Sequence, residues 1–204
     1  MDETQTKGDL ARQEILDTAR RLFIANGFHG TSMRAIAREA GDRAVAGLYN
    51  HFPAKDAIFE ALIAESSPYD HILSLLEARL DEAHTAPDFV QSALIAVLGI
   101  MPDYYGFIQL AQIDMREFEG RNVSHLLRDV FFPRVMAIIQ RLQVLPGLKP
   151  LDPYVVLRMM ASLVIGYIIT ERLGPAEILR RLEHERFGEQ FAEALLYGIA
   201  EPHP

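Results

Sequence analysis

The segment from Thr31 to Lys55, TSMRAIAREAGDRAVAGLYNHFPAK, gathers hydrogen-bond donors around a run of residues too small to fill a core. Thr31, Ser32, Arg34, Arg43, Tyr49, Asn50, His51 and Lys55 carry the N–H and O–H groups that hold phosphate oxygens. Between them, Ala44, Val45, Ala46 and Gly47 have little bulk, which lets a backbone come close to base edges and thymine methyls. Gly47 costs about 1 kcal/mol of helix propensity against alanine, so some gain elsewhere must offset it. A helix opening beside Lys55 would add free backbone amides, a ready site for an anion.

The elements that must position these groups are short helices. Ile15, Leu16, Ala19, Leu22 and Phe23 recur at helical spacing from Asp9, and Asn26-Gly27 supplies a stop with Phe28 placed to fold back onto the last turn. Thr31 or Ser32 caps a second helix that runs to about Ala40 with its apolar stripe at Met33, Ile36, Ala37 and Ala40. Gly41 ends it. A third helix begins at Asp42 or Arg43 and is short, because Pro53 biases Phe52 away from the helical region. Pro53 suits the first turn of a fourth helix, residues 54–66, with its stripe at Ile58, Phe59, Leu62 and Ile63. Two short helices around a glycine-containing turn are the helix-turn-helix pattern, in which the second helix enters the major groove and the first crosses the backbone. An ordinary helical hairpin has the same outline, but small residues on its second helix would waste core space.

The run from Ile15 through Ile63, with ILDTARRLFIANGF, TSMRAIAREAG, LYNHFPAK and AIF, closely resembles the DNA-binding domain of the TetR family of bacterial transcriptional regulators. The resemblance implies an all-helical homodimer with a three-helix reader. A linking fourth helix and a divergent C-terminal ligand domain would follow, with dimerisation through the last two long helices. By position, Thr31 or Ser32, Tyr49, His51 and Lys55 would be phosphate contacts, and Arg43, Ala44, Val45, Ala46 and Gly47 would lie in the recognition helix. Ala37, Leu48 and Phe52 would pack the small core. From Gly41 to Tyr49 the chain has one residue more than the commonest family spacing, so the turn is longer or the third helix starts a residue late.

The whole chain of 204 residues is 50% hydrophobic and 24% charged, the composition of a globular protein of one or two domains. It has no cysteine, which excludes disulfides, thiol redox chemistry and cysteine-ligated zinc. Its net charge of −8 is uneven. Residues 11–55 hold seven basic and four acidic side chains, and the remainder 13 and 24. That asymmetry suits a DNA reader on a non-binding body. The polar, acidic start has no secretory h-region, and the longest apolar run, Met159 to Thr170, falls short of the about 20 residues of a membrane span, so a soluble cytoplasmic protein is expected.

Beyond Ser66-Ser67-Pro68 longer helices are expected over 69–84, 88–100, 103–118, 122–144 with Pro133 inside, and 152–173, with a last one bending near Gly188. No alternating strand pattern interrupts them, so the fold class is all-α, divided into a helix-turn-helix domain at 1–53 and a ligand-binding and dimerisation domain at 54–204. Val155 to Ile169 is apolar on nearly every face and must be covered all round, by the core alone or by core and subunit interface together. The interface is the reading taken, with Val156, Met160, Leu163, Val164, Tyr167, Phe191 and Leu195 in it, because the last helix offers a second apolar face.

For a small apolar effector, as the resemblance implies, the candidates are Phe89, Met101, Tyr104, Tyr105, Phe107, Met115, Phe118, Phe131, Phe132, Met136 and Met159. Aromatic and flexible thioether side chains suit an adaptable cavity, although each is equally at home in a core. Asp114, Glu117 and His125 have no metal-ligand spacing, and no phosphate loop, nucleophile elbow or dinucleotide fingerprint occurs, so no cofactor, metal or catalytic residue is expected. The reading is a ligand-responsive regulator, a repressor by family majority, that binds a palindromic operator as a homodimer. A helical enzyme and a non-DNA-binding interaction module are the alternatives.

Overall fold

Thr6 starts the first helix. Its hydroxyl accepts from the Asp9 amide while the Asp9 carboxylate accepts from the Thr6 amide, a reciprocal cap that begins the helix two residues before the expected Asp9. The computed structural model describes residues 6–41, 44–173, 177 and 184–199. Their helices are α1 Lys7–Asn26, α2 Met33–Glu39, α3 Val45–Tyr49, α4 Lys55–Glu65, α5 Tyr69–Glu82 and α6 Ala86–Ile100. After a 3-10 turn at Met101–Tyr104 come α7 Tyr105–Glu117 and α8 Arg121–Leu126. A π-helical turn at Leu127–Phe131 precedes α9 Phe132–Leu142, and α10 Pro153–Leu173 and α11 His184–Ile199 complete the all-α fold.

The chain divides into two compact units, and the first does not stop at residue 53. It comprises Met1–Ser67 together with Tyr104–Leu127, so α4, α7 and α8 belong with the three N-terminal helices. The reason is an aromatic core that the first 53 residues do not complete. Phe23 lies 5.5 Å from both Phe28 and Phe59, and Phe118 closes the set at 4.6 Å from Phe28 and 5.0 Å from Phe59. Around it Ile15, Leu16, Ile36, Leu48, Ile58, Leu62, Ile63 and Leu110 are fully buried. Asp114, also fully buried, accepts from the Asn122 side chain and the Val123 amide and thereby caps α8. Two boundaries shift from expectation. Pro53 stays outside α4, whose N-cap is Ala54, and α3 spans only five residues.

The second unit is Pro68–Asp103 with Arg128–Pro204. Leu73 and Leu80 of α5, Phe89, Val90 and Ala93 of α6, Val135, Ile138, Ile139 and Leu142 of α9, and Val156 of α10 share one core. Gly188 is a packing residue: a Cβ there would stand 3.2 Å from Ile95, and the helical assignment of α11 is unbroken through it. Pro133 lies inside a helical run that continues from α8 through the π turn into α9, where it cannot donate the backbone bond of an interior residue. The wider π turn just before it absorbs the change in spacing.

By length and composition alone, Ala86–Glu117 and Pro153–Glu171 are apolar enough to cross a membrane. Within α10, however, Val156 and Tyr167 lie in the protomer's own cores, while Tyr154, Val155, Ile165 and Ile169 are exposed. One side of that helix is covered and the other is not.

Phe118→Ala should destabilise the first unit by about 3 kcal/mol, at the lower end for aromatic truncation because the ring is only partly buried. Phe132→Ala, at a ring 38% exposed, should cost less than about 1 kcal/mol. Urea unfolding of the two variants checks both.

Candidate nucleic-acid interface

The turn between α1 and α2 leaves few of its polar groups unused. Gly27 ends α1 at φ +76°, a left-handed conformation that a side chain would strain, with its amide donating to Phe23 O. The Thr31 hydroxyl donates to Leu22 O and Gly27 O at 3.1 and 2.9 Å. Lys55 reaches across from α4, and its Nζ donates to Phe28 O and Thr31 O, both at 2.7 Å, while lying 4.1 Å from the centre of the Phe28 ring. Desolvation in this position holds its ammonium below the ordinary pKa, partly opposed by Asp56 and Glu117. The Glu117 carboxylate, from the end of α7, accepts the His29 amide at 2.8 Å and pairs with Arg116 at 2.7 Å. Burial pushes its carboxyl up, but the bonds from Arg116 and His29 outweigh this and hold it below 4.5. Such a depressed group contributes stability above pH 4.5 that is lost as pH falls through its lowered pKa.

On this fixed turn Ser32 caps α2 by accepting the Ala35 amide at 3.1 Å. Gly41, at φ +83°, then ends α2 as expected. Asp42 and Arg43 lie outside the described residues, and with them the register of the longer turn. In α3 only Leu48 is buried. Ala44, Ala46, Tyr49 and Asn50 are exposed, and a Cβ on Gly47 would meet nothing within 4 Å. Packing therefore does not require the glycine. Arg34 is exposed without a partner among the described residues. Arg12, by contrast, is paired with Glu65 and lies over Phe52.

Two of the expected phosphate contacts already have partners inside the unit. Thr31 is buried with its hydroxyl committed to two carbonyls, so Ser32 is the exposed cap of the pair. The Lys55 ammonium places two of its three N–H donors on carbonyls inside the domain. Ser32, Arg34, Ala44, Ala46, Tyr49 and Asn50 are exposed, Val45 and Gly47 are half-buried, and the half-buried His51 lines a hollow with Leu10, Ala11 and Glu14 of α1.

The expected effector set is divided. Tyr104, Tyr105, Phe107, Met115 and Phe118 belong to the first unit, and Phe89, Met101, Phe131, Phe132 and Met159 to the second. Phe118 is a core residue of the reader, and Met115 is 66% exposed. Phe89, Phe131, Met136 and Met159 do meet around one core. The expected interface residues face mostly inward: Val156 and Tyr167 are buried, and Met160, Leu195 and Phe191 pack on the protomer's own clusters, as does Val164. Leu163 is half-buried. Sequence reasoning missed Glu117 as a part of the reader, because it lies 88 residues from its partner His29 and no local pattern links them.

Lys55→Ala should lower stability and weaken duplex binding while leaving the slope of log affinity against log salt unchanged. A slope reduced by about one unit would restore the phosphate role. Gly47→Ala should stabilise the fold by roughly 0.5–1 kcal/mol and yet weaken binding, whereas unaltered binding would mean that nothing approaches the helix there. Calorimetry and salt-dependent fluorescence anisotropy measure these outcomes.

Comparison with known proteins supports this geometry. Residues 15–62 match the family described as bacterial regulatory proteins, tetR family. The HTH-type transcriptional regulator UidR of Escherichia coli K12 is 33% identical over 92 residues, 45% of this chain and 45% of that protein, so the match spans about half of the relative. The HTH-type transcriptional repressor AcnR of Corynebacterium diphtheriae is 26% identical over 145 residues, 69% of this chain and 67% of its own. A tetR-family regulator structure from Mesorhizobium loti shares the fold at TM-score 0.72 and 22% identity, covering 96% of this chain and all of that one. The helix-turn-helix segment 15–62 is thus that of the tetR family of bacterial regulatory proteins, and the helical fold of the whole chain is the one seen in a tetR-family regulator structure.

Proposed function

We propose that the protein is a transcriptional repressor that binds a palindromic duplex as a homodimer and releases it when a small apolar effector binds. The observation that carries DNA binding is α3. Its one buried residue anchors it, and the rest is a small-residue face flanked by Ser32, Arg34, Tyr49 and Asn50. Such a face has no role in the protomer's own packing, and its chemistry is that of groove entry with phosphate contacts at the margins. The N-terminus of α4 adds backbone amides with no side-chain cap, beside His51. The relatives' printed names, a regulator and a repressor, favour the same reading.

Dimerisation is supported by α10. The stretch Pro153–Glu171 has a mean hydropathy of 1.6, and 11% of it is buried in the protomer. Its open side carries Val155, Ala161, Ile165, Gly166 and Ile169, with Arg158 and Ser162 among them. Exposed charge on that stripe suits a second copy better than lipid, and the small residues permit close approach of a helix. This stripe replaces the inward residues expected from the sequence. A two-fold dimer would place two α3 helices in successive major grooves about 34 Å apart. An effector binding the second unit acts only through different affinities for the DNA-bound and free states. The half-buried Phe131, Met136, Met159 and Met160 there favour an apolar one.

Sedimentation should give a dimer at micromolar concentration, and Ile165→Asp should dissociate it and weaken duplex binding by more than about tenfold through lost avidity. Wild-type protein that sediments as a monomer, or that retains no duplex from a random-sequence pool, would overturn the proposal.

A further inference from the structure

We infer that Glu117, at the end of α7, is a positioning residue of the DNA reader, holding the α1–α2 turn in its binding geometry through the His29 amide. The inference rests on the DNA-binding reading above and extends it to a residue outside the stretch 15–62 that carries the family match.

Three observations converge on this carboxylate. It spans the turn: Oε2 accepts the His29 amide at 2.8 Å, and Oε1 accepts from Arg116 at 2.7 Å. The turn is shaped around it, because a Cβ on Gly27 would stand 2.7 Å from Oε1 and 3.4 Å from the Arg116 guanidinium. A glycine there meets two demands at once, the left-handed φ and room for the carboxylate. The adjoining Phe118 is packed on Phe28 and Phe59, so the end of α7 is anchored by an apolar contact on one side and an ionic hydrogen bond on the other.

Electrostatics argues against simple helix stabilisation as its role. Glu117 is the last residue of α7 and sits beside the C-terminal end of α1, where both helix dipoles disfavour a negative charge. A lysine or arginine would suit either terminus better. The carboxylate is retained by what it holds, and that is the amide of a residue three before the α2 cap Ser32. His29, Thr31 and Lys55 fix adjoining atoms of the same short turn, so loosening His29 frees the start of α2 relative to α1. The orientation of α2 and α3, and hence duplex affinity, then depends on Glu117 with no contact between it and DNA.

The test uses the full chain and a duplex of about 30 base pairs selected by wild-type protein from a random pool, one helical-turn spacing of half-sites fitting within it. Glu117→Ala should speed His29 amide exchange by about tenfold or more, as loss of a charge-assisted bond requires, while α10 amides stay unchanged. It should weaken the duplex by about tenfold with an unaltered salt slope, because no phosphate contact is lost. Glu117→Gln, which keeps an acceptor oxygen, should recover most of the His29 protection and part of the affinity, and it serves as the readout where the alanine variant does not fold. Duplex affinity equal to wild type in the alanine variant, unchanged His29 exchange, or a reduced salt slope would each overturn the inference. Failure of wild-type protein to select any duplex would instead overturn the DNA-binding reading, leaving the His29 exchange result intact.

Discussion

Much of the first unit depends on one set of contacts: side chains from three places in the chain hold the backbone of the turn between α1 and α2. Phe28 and Thr31 of that turn are buried while His29, Gly30 and Ser32 are exposed, and an unpaired buried polar group costs about as much as a whole hydrogen bond contributes. The Lys55 ammonium donates to Phe28 O and Thr31 O, the single Thr31 O–H is shared between Gly27 O and Leu22 O of α1, and Glu117 accepts the amide of His29. These three side chains come from α4, from the turn itself and from α7. Tying the turn therefore ties together most of the helices of the unit, and α2 leaves it in a fixed direction.

This accounts for the division of labour along the Thr31 to Lys55 segment. Donors nearest the turn are consumed internally, and donors further along remain on the surface. Side chains with the same chemistry thus do different work: Thr31 is structural while Ser32 caps at the surface, and Lys55 holds carbonyls while Arg34 stands free of described partners. The small residues of α3 follow a complementary logic. They add almost nothing to the core, and Gly47 weakens the helix, so their presence is accounted for by what approaches from outside.

The second unit separates its two roles by face. Inward residues of α10, including Val156 and Tyr167, join cores built on α6 and α9, while its outward stripe mixes branched apolar residues with Ala161 and Gly166. Periodicity shows that such a helix is apolar all round. It does not say which half meets the protomer, because that depends on how α6 and α9 lie against it.

The sequence by itself determined the all-α class, the stops at Gly27 and Gly41, the Ser or Thr cap and the small-residue run of α3, and the family resemblance pointed to the buried Ala37, Leu48 and Phe52. All of these are local, set by backbone preference and periodicity within a few residues. Tertiary structure decided what depends on distant partners. It packed α7 and α8 with the N-terminal helices in one compact unit, gave Lys55 and Thr31 backbone partners inside it, and placed the expected effector residues in two units. It also made a core residue of Phe118 and brought Glu117 to His29. The physical reason is the same in each case: a donor's type is written in the residue, but whether it is spent inside the fold is fixed only by the acceptors that packing brings within reach.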